Sequence, residues 1–146
     1  MNSADEGEIS PLHVAAANGH DDVVSLLLSR GANVDQRTGS GWTPLHQASY
    51  HGHNNVTQAL VSAGAEVNKR NKYGATPLNM AAAGGHLATV RLLMTSGCAP
   101  EAAAPAQYKV CPTPTMTAAL HGQDGVLKAL LEAGAKSDKV QILMIQ

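Results

Sequence analysis

Residues 43–68 read TPLHQASYHGHNNVTQALVSAGAEVN, and this stretch decides the fold because close variants of it recur along the chain. Pro11, Pro44 and Pro77 stand 33 residues apart, and each is followed by glycines 8 and 20 positions later. A fourth unit begins at Pro114, 37 residues after Pro77, so four residues are inserted before it while its internal spacing is kept. Self-similarity at this period is typical of solenoids, in which each unit buries its apolar face against its neighbours.

Each unit is predicted to form two short helices joined by a turn. Thr43 suits a helix N-cap, since its hydroxyl can accept from an amide that has no helical partner. Pro44 suits the first turn, where a missing N–H costs nothing. Gly52 and Gly64 can end the first and the second helix in left-handed geometry. Helices of about ten residues do not persist alone, so we expect their stability to come from stacked neighbours.

The units resemble the ankyrin repeat, whose signature runs G-x-T-P-L-H-x-A-A-x-x-G-H and then x-x-V-V-x-x-L-L-x-x-G-A-x-V-N. The resemblance covers about residues 10–138. It implies an all-α, ankyrin-repeat solenoid of stacked helix-turn-helix units with short β-hairpin fingers. The predicted units span about residues 10–38, 39–71, 72–104 and 109–138, with an insertion around 99–112, between an N-terminal extension at 1–9 and a C-terminal apolar tail at 139–146.

Seven histidines raise the question of a metal site. The resemblance implies structural roles for most of them, with the imidazole tying one turn or one repeat to the next by hydrogen bonds. His51 and His121 fall outside these positions, but zinc needs three or four converging ligands. The sequence also contains no G-x-x-x-x-G-K nucleotide loop. We therefore expect no metal site, no cofactor and no catalytic residue. The histidines with implied structural roles are His13, His20, His46, His53 and His86.

The third and fourth units depart from the pattern at positions where the other units carry their repeated residues. Asn79 replaces the histidine of T-P-L-H in the third unit, and Met116 replaces it in the fourth. The fourth unit also has Thr115 for leucine and Gln123 for the histidine after glycine. These changes predict that the fourth unit stacks less tightly than the others.

Composition limits the partners of the chain. The formal net charge is −1, so no overall attraction draws the chain to nucleic acid or to an anionic membrane. No apolar run approaches the roughly 20 residues that cross a bilayer, and MNSADEGEIS at residues 1–10 lacks the basic and apolar regions of a secretory signal. Two cysteines fit a reducing compartment. We expect a cytoplasmic or nuclear location and no insertion into a membrane.

The resemblance places partner recognition on the finger tips and on outward positions of the first helices, which line a concave face. The first complete finger is residues 35–42, finger one, and the next is residues 68–75, finger two. Large aromatic residues on an exposed surface are typical anchors of binding sites. We predict a protein partner with acidic and apolar residues, bound by Arg37, Ser40, Trp42, Tyr50, His51, Arg70, Lys72 and Tyr73.

Other interpretations of the same residues stay open. Trp42 and Tyr73 can instead pack one finger against the other, with the lysines only solvating the surface. The repeats can also be a structural spacer, or a fragment of a longer multi-repeat protein. We expect a monomer, with weak self-association through uncapped ends as the alternative.

Asn68 is a second candidate site. The ankyrin repeat resembles known targets of asparaginyl hydroxylation at the asparagine that ends G-A-x-V-N, with leucine eight residues and an acid two residues before it. Leu60 and Glu66 occupy those places before Asn68, and Asp35 is the weaker equivalent in the first unit. The alternative is that Asn68 is a simple hairpin residue.

Three further features each allow two interpretations. Cys98 and Cys111 flank the insertion either as two separate thiols or as a redox-formed staple. The segment 99–112, which includes Tyr108, is either a tolerated insertion or a private recognition element. The tail 139–146 either folds back over the last helix pair or is an exposed strand-former.

Overall fold

The computed structural model describes residues 9–100, 107 and 112–145, and the side chains among them as far as residue 134. Residues 1–8, Tyr108 and Cys111 therefore lie outside the described residues, as does most of the insertion. The described chain forms helices in pairs, as the repeat pattern predicted. They are α1 Pro11–Ala17, α2 Asp21–Ser29, α3 Pro44–His51, α4 Asn54–Ser62, α5 Pro77–Gly84, α6 Leu87–Thr95, α7 Pro114–Leu120 and α8 Asp124–Ile145.

The helix starts follow from local capping chemistry. The Thr43 hydroxyl accepts from the backbone N–H of His46 at 3.3 Å, and the Nδ1 atom of His46 accepts from the backbone N–H of Thr43 at 3.1 Å. This reciprocal pair is a capping box, and it satisfies two amides that a helix start leaves without partners. Gly52 then ends α3 with a φ of 72°, a left-handed conformation that suits glycine.

The helices form two layers. The first helices α1, α3, α5 and α7 pack side by side in chain order, and the second helices α2, α4, α6 and α8 form the other layer. Alanine fills much of the first layer, where Ala48, Ala81 and Ala82 are fully buried, so neighbouring backbones approach closely. Larger aliphatic side chains fill the space between the layers, including Leu45 and Leu60. The all-α solenoid architecture is confirmed.

The fingers are tight turns without strands in the part of the chain that the structure describes. Finger one closes through the N–H of Thr38, which donates to the carbonyl of Trp42 at 3.0 Å. Finger two closes in the same way, from the N–H of Asn71 to the carbonyl of Ala75 at 2.9 Å. The expected hairpins are thus reduced to tight turns, each closed by a few local hydrogen bonds.

The last helix is longer than its equivalents in the other repeats. α8 runs 22 residues from Asp124 to Ile145 and passes through Gly134, the counterpart of the glycines that follow α2, α4 and α6. Residues 139–145 are therefore the end of α8, and the strand-forming interpretation of the tail does not describe their backbone. Lys139, Gln141, Leu143 and Met144 in this segment are good helix formers.

Candidate functional site

Buried histidines at the start of the first helices join successive repeats. The Nδ1 atom of His46 accepts from Thr43, so the ring proton is on Nε2, which donates to the carbonyl of Ala75 at 2.9 Å. His13 makes the same bond to the carbonyl of Trp42 at 2.9 Å. Burial lowers the pKa of both imidazoles, that of His46 to about 4. These histidines are neutral structural groups near pH 7, which leaves them out of the candidate site.

A second set of bonds crosses between repeats at the glycines that end the first helices. His53 Nε2 donates to the carbonyl of Ala17 at 3.0 Å, and His86 Nε2 donates to that of Tyr50 at 2.8 Å. In the fourth repeat Gln123 Nε2 donates to the carbonyl of Ala83 at 3.3 Å.

The amides that replace histidine thus preserve the ties between repeats. Gln123 reaches back to the third unit, whereas Asn79 reaches forward to the fourth, since its Nδ2 donates to the carbonyl of Pro112 at 2.9 Å. The departures from the histidine pattern do not remove the bonds to the fourth repeat, and its predicted looser stacking stays a prediction.

A cleft of about 420 Å³ lies where finger one meets the first helices. The Trp42 and Tyr50 rings meet edge to face, with centroids 6.0 Å apart and planes at 88°. The Tyr50 and His51 rings are 5.1 Å apart at 74°. Tyr50 is 43% exposed and Trp42 is half-buried, so both rings are anchored and still present a surface. We call this cleft the aromatic groove, and its lining residues are Ile9, Thr38, Gly39, Ser40, Trp42, Gln47, Tyr50 and His51.

A smaller cleft of about 320 Å³ lies on the other side of the finger tip formed by Thr38 and Gly39. Arg37 and Lys72 supply its charges, and we call it the basic cleft; its lining residues are Arg37, Thr38, Gly39, Gly41 and Lys72. Lys72 is exposed. The tip of finger one therefore separates an aromatic surface from a positively charged one.

Backbone contacts hold the two fingers together. The N–H of Lys72 donates to the carbonyl of Ser40 at 2.8 Å, and the guanidinium of Arg37 donates to the carbonyl of Arg70 at 3.2 Å. Gly41 has a φ of 78°, and a Cβ there would lie 2.9 Å from the backbone nitrogen of Lys72. This contact requires glycine, and it fixes the relative position of the fingers.

The structure divides the predicted site residues into two groups. Arg37, Ser40, Trp42, Tyr50, His51 and Lys72 border one or both clefts. Arg70 instead braces finger two by donating to the carbonyl of Gly74 at 2.7 Å. Tyr73 is 63% exposed and borders neither cleft.

Sequence reasoning missed Ile9, Thr38, Gly39 and Gln47 as lining residues of the aromatic groove. A signal for Ile9 was present, because Ile9 stands 33 residues before Trp42 and occupies the same place before its helix.

Asn68 lies in a turn after α4 with an exposed side chain. Its Nδ2 donates to the carbonyl of Gly97 over 3.4 Å, a long and weak hydrogen bond. Glu66, two residues earlier, is also exposed and pairs with Lys69 at 3.2 Å.

The Cys98 side chain is buried, and its thiol donates to the carbonyl of Val67 at 3.1 Å. Burial raises the pKa of this thiol to about 12, which disfavours the reactive thiolate. Within the described residues, no cluster of three or more His, Cys, Asp or Glu side chains is arranged to hold a metal ion. Among those same residues, no helix is both long and apolar enough to cross a membrane.

The sequence of this chain is similar to known proteins in two respects. A family model described as ankyrin repeats (3 copies) matches residues 1–71 and 63–141. The chain is 58% identical over 38 residues to the E3 ubiquitin-protein ligase XBAT32 of Arabidopsis thaliana, an overlap of 26% of this chain and 8% of that protein. The chain thus spans a small part of the length of this curated relative, whereas the family model covers nearly all of the chain.

Proposed function

The chain belongs to the ankyrin repeat family, and from this premise we propose that it is a non-catalytic interaction module that binds a partner protein on the aromatic groove and the basic cleft. Ankyrin repeats are in general protein–protein interaction modules. The observation that carries the proposal is the pair of exposed Tyr50 and half-buried Trp42, held edge to face beside the finger tip. Rigid aromatic side chains of this kind contribute large contact area at a low cost in conformational entropy.

The two clefts together define the chemistry of the partner. An apolar or aromatic side chain suits the aromatic groove, and an acidic side chain suits the basic cleft beside Arg37 and Lys72. Because both clefts share Thr38 and Gly39, one short segment reaches them at once. The proposed partner is therefore a protein segment with an acidic residue close to an apolar one.

The test is retention of partner proteins by the immobilised chain, with bound proteins identified by mass spectrometry. The variant is Trp42→Ala combined with Tyr50→Ala, which leaves the Trp42 carbonyl available to His13. Tyr73→Ala is the matched control, because it removes an exposed tyrosine that borders neither cleft. We expect partners that the wild type and the control retain and that the double variant loses.

The rival function is a structural spacer within a larger array of repeats. A spacer retains no partner above background, or retains the same proteins with and without the two aromatic rings. Either result would reject the interaction module in favour of the spacer.

Asn68 supports a second proposed function, as a substrate of asparaginyl hydroxylation. Its side chain is exposed, and its long bond to the Gly97 carbonyl is weak enough to be released. The chain incubated with an asparaginyl hydroxylase should gain the mass of one oxygen atom on the peptide that contains Asn68, and the Asn68→Ala variant should not. If the Asn68 peptide stays unmodified while a positive-control substrate reacts completely, Asn68 is not a substrate of the hydroxylase.

A further inference from the structure

We propose that the partner segment carries two apolar anchors, one on the aromatic groove and one on Leu120, and that it crosses α5 in an extended conformation between them. The inference rests on the proposed function, and it adds a second contact, a spacing and a backbone conformation for the partner.

Leu120 and Tyr50 occupy equivalent places in their repeats. Tyr50 is six residues after Pro44 in α3, and Leu120 is six residues after Pro114 in α7. Because the first helices stack in one layer, equivalent positions lie on the same face of that layer. Leu120 is 77% exposed, more than any other described large apolar side chain. The concave face therefore carries two projecting side chains, separated by one repeat.

The surface between these two side chains is low. The equivalent position in α5 is Ala83, and Gly84 follows it. A Cβ at Gly84 would lie 2.5 Å from the carbonyl oxygen of Tyr50 and 2.6 Å from the His86 ring. The close approach of α5 to α3 therefore excludes any side chain at Gly84. Tyr50 and Leu120 form the two ends of a shallow saddle, whose floor carries the small Ala83 side chain and the Gly84 backbone with the half-buried His86 ring beside it.

The stacking of the helices fixes the distance between the anchors. Packed helices lie roughly 8–10 Å apart, so two such steps place Leu120 roughly 16–20 Å from Tyr50. An extended chain covers this distance in about five or six residues at ~3.3 Å each. A helix, which rises only ~1.5 Å per residue, needs about 11–13 residues.

The low floor favours the extended conformation. A helix with a diameter of about 10 Å would rest on the two projecting side chains and leave the floor over Ala83 and Gly84 unfilled. An extended backbone can descend onto that floor and contact it directly. The partner segment is therefore expected to have apolar residues five or six positions apart, with an acidic residue near the anchor that fills the aromatic groove.

The experiment selects binding peptides from a randomised peptide-display library on the full chain and then measures their affinities by fluorescence anisotropy. The affinities are compared for the wild type, Tyr50→Ala, Leu120→Ser and the control Leu26→Ser. Leu26 is also an exposed leucine, at 54%, but it lies on α2 in the other layer. Circular dichroism verifies that each variant keeps the helix content of the wild type.

The expected result is a shared pattern of two apolar residues five or six positions apart in the selected peptides. Leu120→Ser should weaken binding about ten-fold, or ~1.4 kcal/mol, since the variant loses the apolar contact that the leucine makes with the partner. Leu26→Ser should leave the affinity unchanged. Tyr50→Ala should weaken the binding of the same peptides.

Two sets of results overturn different claims. If the binding of the peptides depends on Tyr50 but not on Leu120, the second anchor is wrong. If the two apolar residues of the peptides are about 11 positions apart, the extended conformation is wrong. Either result leaves the proposed function standing. A library that yields no binder, or binders indifferent to Tyr50→Ala, would overturn the proposed function and this inference with it.

Discussion

The Nε2 atom of His46 lies 2.9 Å from the carbonyl oxygen of Ala75, and this contact joins the first helix of the second repeat to the finger of the third. The other ring nitrogen accepts from Thr43, so one buried side chain caps its own helix and ties it to the next repeat. Both bonds require a neutral imidazole with its proton on Nε2. The stability of the stack therefore depends on the protonation of His46.

Acidification should lower the free energy of unfolding, because His46 loses its folded-state interactions when it is protonated. Burial lowers its pKa from 6.5 to about 4, so between these pH values the unfolded chain binds a proton that the folded chain does not. The contribution is fully present above about pH 6.5 and is lost as the pH falls toward 4. The shift corresponds to roughly 3 kcal/mol at most. Urea unfolding followed by circular dichroism at a series of pH values measures this loss; a flat stability profile across the window would contradict the assignment.

Asparagine should replace His46 better than alanine does. In the third repeat Asn79 already fills this position, where its Oδ1 accepts from the N–H of Thr76 at 3.0 Å and its Nδ2 reaches the following repeat. We expect His46→Ala to cost about 2–4 kcal/mol, because it leaves buried polar groups without partners and opens a cavity. His46→Asn should cost clearly less and should also reduce the pH dependence. If both variants lose the same free energy of unfolding in chemical denaturation, the hydrogen bonds of the His46 side chain contribute little to stability compared with the volume of its ring.

The sequence predicted the features that local chemistry controls. Thr43 and Pro44 start a helix and Gly52 ends one through contacts with immediate neighbours, so the spacing of these residues was enough to place α3. The positions of Trp42 and Tyr50 beside finger one, where they line the aromatic groove, followed from the same register. The fold class and the positions of the helix pairs were therefore accessible without coordinates.

The remaining features depend on contacts between distant residues. Tyr73 and Ser40 occupy equivalent places in their fingers, yet only Ser40 borders the aromatic groove, because this cleft forms where finger one meets the first helices and none of its lining residues belongs to finger two. The continuation of α8 through Gly134 was also not predictable, since the same glycine position ends the second helix in the earlier repeats. The pattern within one repeat does not show which side chains of neighbouring repeats come into contact.

Two glycines in helices should respond in opposite ways to alanine. Gly84→Ala places a Cβ 2.5 Å from the Tyr50 carbonyl oxygen, and we expect a loss of roughly 1–3 kcal/mol from the displacement of α5. Gly125 in α8 meets only a Leu87 methyl group at 3.9 Å, so Gly125→Ala should stabilise the chain by about 0.5–1 kcal/mol through helix propensity. The stabilities of both variants are compared with that of the wild type by thermal unfolding. Stabilisation by Gly84→Ala would contradict the close contact between α3 and α5.

Cys98 should be unreactive in the folded protein. Its thiol is buried against the Val67 carbonyl, and its pKa is raised to about 12, so the thiolate is scarce at neutral pH. Alkylation by iodoacetamide, followed by peptide mass spectrometry, should modify Cys98 slowly under native conditions and rapidly in denaturant. Rapid native modification, or a disulfide to Cys111 that forms without loss of helix content, would restore the redox staple as an explanation.

Lys72 should contribute to partner affinity through charge alone. Its ammonium group borders the basic cleft from an exposed position, so its attraction to an acidic residue of a selected peptide is screened by salt. We expect affinity to fall as the salt concentration rises, and Lys72→Gln to weaken binding about two- to five-fold at low salt, in keeping with an exposed ion pair of ~0.2–1 kcal/mol. The salt dependence should be shallower for this variant, because one of the interacting charges is gone. Lys128→Gln on α8 is the matched control, since it removes an exposed lysine from the other layer. If wild type, Lys72→Gln and Lys128→Gln show the same salt dependence, the acidic residue of the partner does not bind in the basic cleft.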